Sequence, residues 1–151
     1  MSATIPQPST PRRGPGAFVG VTEEMIHALV HGFYARIRRD PALGPIFDRA
    51  IPHDGWEPHL AKMCDFWSSV MLMTGRFKGA PMPAHIRIAE IRPTHFARWL
   101  HLFRETAGEL CPPEAAQAFI ARAEMIAESL QLGIAASRGE LPPLRKQASG
   151  A

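Results

Sequence analysis

Four residues carry donor or ligand chemistry that could converge on one small molecule: Tyr34, His59, His85 and Trp99. None pairs with another at a metal-motif spacing, so the fold must bring them together. His59 heads an apolar helical stripe of Met63, Phe66, Trp67 and Val70. His85 lies beyond a stretch rich in Gly and Pro, Thr74 to Pro83, with Met82, Ile88 and Ile91 around it in sequence. A histidine heading an apolar face, with a second in a short loop-bounded segment, suits a flat hydrophobic cofactor between two helices. Haem is the foremost candidate: its iron takes a neutral imidazole nitrogen, and the protein controls polarity and access on the opposite side. Each residue also has a plain structural reading. His85 can be a surface histidine beside a turn, His59 a partly exposed one. Tyr34 and Trp99 can be core aromatics whose O–H and N–H find local partners.

The elements that must position these residues are helices. The first opens at Thr22, an N-cap type, with Glu23 and Glu24 in the turn where negative charge suits the helix dipole. Ile26, Leu29, Val30, Phe33 and Ile37 recur at steps of three and four, and Asp40-Pro41 ends the run. Leu43 to Phe47 reads as a compact apolar corner. A second helix is expected from Asp54, with Glu57 three residues on in a capping-box arrangement and Pro58 tolerated in the first turn. After the Gly/Pro stretch, a short piece from Ala84 to Ile88 carries His85. A third long helix follows Pro93, with Phe96, Trp99, Leu100, Phe103, Ala107 and Leu110 on one face. Cys111-Pro112-Pro113 separates it from a last helix with Phe119, Ala123, Ile126, Ala127, Leu130 and Ile134. No run alternates as a strand would, so the fold class is all-α.

At 151 residues the chain suits one domain with a real core. The formal charge of +3 is spread along the chain, without the basic stripe of a nucleic-acid binder. No stretch is apolar and long enough to span a bilayer, and Met1 to Gly16 lacks the apolar run of a secretory signal. Cys64 and Cys111 are too few and too far apart for a disulfide framework, which fits a reducing, cytoplasmic setting. Residues 1–20 read as a disordered N-terminal arm, 21–138 as the folded domain and 139–151 as a C-terminal tail.

Taken in order, the motifs resemble the group III truncated haemoglobins. The resemblance rests on Phe33 through Phe47, on Trp56-Glu57-Pro58-His59-Leu60-Ala61-Lys62-Met63 with Phe66-Trp67, on Pro83-Ala84-His85, and on His95 through Phe103. Arg122 to Ala127 in the last helix also fits, and the likeness runs from Val21 to Ala136. It implies a shortened globin fold, two helices over two, around haem b. His85 then resembles the proximal iron ligand, and Tyr34, His59 and Trp99 the polar distal group. Phe47 resembles the aromatic residue stacked on the porphyrin, with Met63 and Phe66 as apolar distal wall. Met82, Ile88, Phe96 and Phe103 complete the expected cofactor contacts, and Lys62 and Arg92 are placed to reach a propionate.

Such a protein binds oxygen or another diatomic ligand. Several donors around one ligand favour redox chemistry or detoxification, peroxidase-like or nitric oxide dioxygenase-like, over bulk oxygen transport. Turnover of that kind needs an electron donor, which the sequence does not identify, and neither nucleic acid nor a membrane is an expected partner. The competing reading is a non-haem all-α binding module with structural histidines. A metal hydrolase is disfavoured because no His-Glu-x-x-His or paired Glu-x-x-His motif is present.

Overall fold

The apolar stripes become five α-helices among the described residues of the computed structural model, which are 14–81, 85, 88 and 90–140. Helix α1 spans Glu23–Arg39. Thr22 caps it as expected, its Oγ1 accepting the Met25 N–H at 3.1 Å. The helix stops where Asp40 turns extended. The expected corner at Leu43 to Phe47 is instead a second helix, α2, Gly44–Ala50. Pro45 suits its first turn, where no intrahelical N–H is required. Gly44 permits the tight approach of α2 to α1, because a Cβ there would lie 2.8 Å from the Arg38 carbonyl oxygen.

Helix α3 spans Trp56–Leu72, two residues later than expected. Its N-cap is Gly55, without a side-chain cap bond, so the capping box from Asp54 to Glu57 does not form. The reason is local: Asp54 sits inside a 3-10 turn, His53–Gly55, closed by Gly55 N–H donating to Pro52 C=O at 2.8 Å. Met73 caps the far end of α3 in the left-handed conformation, and the backbone from Thr74 to Ala80 is irregular, as the Gly/Pro content predicts. Helices α4 (Pro93–Leu110) and α5 (Pro113–Ser137) each start with a proline in the first turn.

Helix α1 packs on both α3 and α4, and α4 lies along α5. The result is two helices over two, with Phe33, Trp67, Phe103 and Phe119 at the centre. A smaller cluster of Ile91, Phe96, Ala127, Leu130 and Ile134 fastens the segment before α4 to the far half of α5. Among the described residues no helix is long and apolar enough to cross a membrane.

Part of the segment assigned to the N-terminal arm, from residue 14, packs on the core. Gly16 is buried and its N–H donates to the Met71 carbonyl at 2.9 Å. A Cβ at Gly16 would press within 2.8 Å of Val21 Cβ, so this strap lies tight against the core. The arm before residue 14 and the tail after residue 140 lie outside the described residues.

Asp40 does more than end α1. Its side chain is 2 % exposed and pairs with Arg98 of α4 at 2.7 Å, while the N–H groups of Ala42 and Leu43 donate to Oδ2 at 3.1 and 3.0 Å. Burial pushes the carboxyl pKa up, but the Arg98 hydrogen bond and the two backbone bonds outweigh it and hold it below the usual value. Asp40→Ala leaves two N–H groups without their acceptor and is expected to cost about 2–3 kcal/mol. The linkage has a definite sign. A carboxyl with a depressed folded pKa contributes stability that is present above the ordinary carboxylate pKa of about 4 and is lost as pH falls through the folded value. Urea unfolding of wild type and Asp40→Ala at pH 7 and pH 3 checks this: the difference between them is expected to shrink at pH 3.

Candidate functional site

Tyr34 from α1 and His59 from α3 meet edge to face, with ring centroids 5.2 Å apart and planes at 90°. Trp56 stands three residues before His59, on the same side of α3, and meets it at 5.6 Å and Tyr34 at 6.1 Å. Phe47 from α2 closes the group, 6.0 Å from Tyr34 and 6.4 Å from Trp56. The Arg38 guanidinium lies 4.4 Å from the Trp56 ring centroid, in cation–π contact. Three helices thus build one aromatic box with a single imidazole in it.

His59 Nε2 is buried without a hydrogen-bond partner among the described residues. Such an atom costs about 1–3 kcal/mol unless a ligand or water satisfies it. Burial, with Lys62 and His85 adding positive charge, pulls the His59 pKa down to about 4. The ring is therefore neutral at physiological pH and can either donate or accept one bond. Burial likewise pushes the Tyr34 phenol above its ordinary value, so its hydroxyl keeps its proton and can donate. Beside His59 a cleft of about 220 Å³ opens between Ile51, Pro52, Pro58 and Lys62.

His85 is half-buried in helical backbone, with Nδ1 2.7 Å from the Pro81 carbonyl oxygen. A carbonyl only accepts, so Nδ1 carries the proton and Nε2 is left with a lone pair. This is how metal-binding histidines are oriented: one ring nitrogen is tied to a carbonyl and the other is free for the metal.

The remaining expected residues divide. Phe66 is half-buried and meets Trp67 at 5.6 Å and Phe77 at 5.1 Å, and Met63 packs on the edge of the core. Phe96 is buried in the smaller cluster and Ile88 packs on it, both near His85 in the chain. Lys62 is exposed on the rim of the cleft. Arg92 is also exposed, with Nη1 donating to the Ile91 carbonyl at 3.2 Å. Met82 lies outside the described residues. Phe103 is 1 % exposed and stacks on Trp67 at 5.2 Å and on Trp99 at 5.5 Å. Trp99 stacks on Phe103 and meets Phe33 at 5.3 Å, and no ring contact joins it to Tyr34 or His59 among the described residues. Trp56, for which the sequence suggested no role beyond the family motif, belongs to the box. The signal for it was its i,i+3 relation to His59.

The donor set fits a haem. One imidazole has its Nδ1 tied to a carbonyl and its Nε2 left for a metal, and the other presents an unsatisfied buried nitrogen within an aromatic box. Fold and site together define a shortened, two-over-two globin.

No protein-family model matches the chain. The chain is 34 % identical over 116 residues to the group 3 truncated haemoglobin ctb of Campylobacter jejuni, covering 76 % of this chain and 91 % of that one. The crystal structure of a group III truncated haemoglobin from Campylobacter jejuni superposes with a TM-score of 0.70 at 33 % identity, over 74 % of this chain and 90 % of that one. The chain belongs to the group 3 truncated haemoglobins. It is a globin, and the cofactor of a globin is haem.

Proposed function

We propose that this chain carries haem b, with His85 Nε2 as the proximal ligand and Tyr34, His59 and Trp99 facing a diatomic ligand on the other side. When bound, haem supplies an iron centre for oxygen or a similar ligand and for electron transfer. The chain's residues do the rest. Pro81 fixes the His85 tautomer. Phe47, Met63, Phe66, Phe96 and Ile88 exclude water, and Lys62 and Arg92 are within reach of propionates. Tyr34 donates a hydrogen bond to the ligand, and neutral His59 supplies a second polar contact.

The observation that supports this reading is the orphaned Nε2 of His59 beside a phenol, together with a His85 whose Nδ1 is tied to the Pro81 carbonyl. Two donors on one ligand slow its release by orders of magnitude. That suits redox conversion or detoxification, peroxidase-like or nitric oxide dioxygenase-like, fed by an electron donor, better than bulk transport. The deciding experiment is reconstitution with haem followed by spectra of the ferric, ferrous and carbon monoxide forms. A sharp Soret band at one haem per chain is expected. Its absence would favour a non-haem all-α module with structural histidines.

The His59 environment sets a pH dependence. An unfolded chain protonates His59 near 6.5 and the folded chain near 4, so the unfolded state binds more protons in between. The stability of the cofactor-free protein is expected to fall as pH drops from about 6.5 to 4, and to fall less steeply in His59→Leu. Equal slopes for the two proteins in thermal unfolding series would show that His59 titrates as a free imidazole.

A further inference from the structure

Among the described residues, two backbone hydrogen bonds follow His85 in the chain. Ile88 N–H donates to the His85 carbonyl at 3.0 Å, and Ile91 N–H reaches the Ile88 carbonyl at 3.3 Å. The carbonyls of Ile88 and Ile91 have a further partner, and it comes from far along the chain. Arg138, at the C-cap of α5, donates from Nη2 to Ile88 C=O at 3.0 Å and from Nη1 to Ile91 C=O at 2.8 Å. The guanidinium is a rigid planar fork, so two simultaneous bonds fix both the distance and the orientation of the segment against α5. The buried contacts of Ile91 with Leu130 and Ile134 lie beside it.

We infer that Arg138 is a positioning residue for the proximal ligand: it clamps the backbone that follows His85 onto the end of α5 and so sets where the His85 imidazole stands. The inference rests on the reading of His85 as the haem ligand. The continuity is direct, since Arg138 holds the carbonyl of Ile88, whose own N–H holds the carbonyl of His85. A clamp of this kind acts on haem retention and on the strain in the iron–histidine bond, without touching the cofactor. Lysine in its place has a single point of charge and cannot bridge two carbonyls in a fixed geometry.

The test uses full-length Arg138→Ala and Arg138→Lys, with Ser137→Ala as a control at the same helix end. Three readouts are taken: the rate of haem transfer to excess apomyoglobin, the iron–histidine stretching frequency of the ferrous protein by resonance Raman, and amide exchange at Ile88 and Ile91 in the cofactor-free protein. In Arg138→Ala, haem transfer is expected to be about tenfold faster, as loss of charged hydrogen bonds implies. The stretching frequency shifts and both amides exchange faster. Arg138→Lys falls between, and Ser137→Ala matches wild type. An unchanged stretching frequency and transfer rate in Arg138→Ala would overturn the inference, whether or not the amides exchange faster, since the contact would then be merely structural. Failure of the proximal assignment looks different: His85→Ala would keep the wild-type spectrum.

Discussion

His85→Ala is expected to release haem, with affinity lower by at least about a hundredfold, roughly 2.7 kcal/mol, while helical content is retained. His85 is half-buried and lies outside the main buried core, so its truncation removes a ligand and little packing. Its Nδ1 is committed to Pro81, which leaves Nε2 as the single nitrogen able to reach a metal. His31 Nδ1 is likewise tied to a carbonyl, that of His27 at 2.9 Å, but it stands on an exposed helix face away from the aromatic box. His95 Nδ1 accepts the Arg92 N–H at 2.9 Å and serves the start of α4, and His101 pairs with Glu105 at 3.2 Å on an exposed face. His27 and His31 stack on each other at 3.9 Å on the exposed face of α1. His95→Ala and His101→Ala are therefore the controls, and both are expected to keep haem through desalting. Added imidazole is expected to restore the Soret band of His85→Ala, because it replaces the lost nitrogen. Full retention by His85→Ala with an unchanged ferrous spectrum would remove the proximal role from this residue.

The sequence made the helical frame legible because the apolar residues recur at helical steps and the stops are chemically strong. Thr22 caps α1 as its type suggests, Asp40-Pro41 ends it, and prolines open α4 and α5. Two elements were hidden. Helix α2 is only seven residues, too short for a periodic stripe. The start of α3 was misplaced because Asp54 and Glu57 have the right types for a capping box, but a 3-10 turn takes Asp54 out of register. The site follows the same division. Tyr34 and His59 could be paired through the family resemblance, whereas their edge-to-face contact depends on the crossing of α1 and α3. Phe103 was hard to place because core aromatics and cofactor-facing aromatics share one helical stripe, and its stack with Trp67 and Trp99 depends on how the helices cross. The partners of Asp40 and Arg138 lie 58 and 47 to 50 residues away in sequence, and no local pattern marks such pairs.

Tyr34→Phe is expected to speed oxygen release by about tenfold or more, the factor for a loss of ~1.4 kcal/mol in barrier. The substitution removes one hydroxyl and keeps the ring, so the edge-to-face contacts with His59 and Phe33 survive. Oxygen is the stronger hydrogen-bond acceptor of the two test gases, so carbon monoxide release is expected to change less. Trp99→Phe is a weaker probe. Trp99 is tied to Phe33 and Phe103, and shrinking it adds a cavity contribution to any loss of the indole N–H. Its effect on oxygen release is therefore expected to be smaller than that of Tyr34→Phe. His59→Leu removes the neighbouring polar group, and the double variant with Tyr34→Phe is expected to be non-additive, because both groups address one ligand. Stopped-flow dissociation on the ferrous protein measures all of these. Equal acceleration for oxygen and carbon monoxide would mean that Tyr34 governs access through the aromatic box, and the hydrogen-bonding role would be lost.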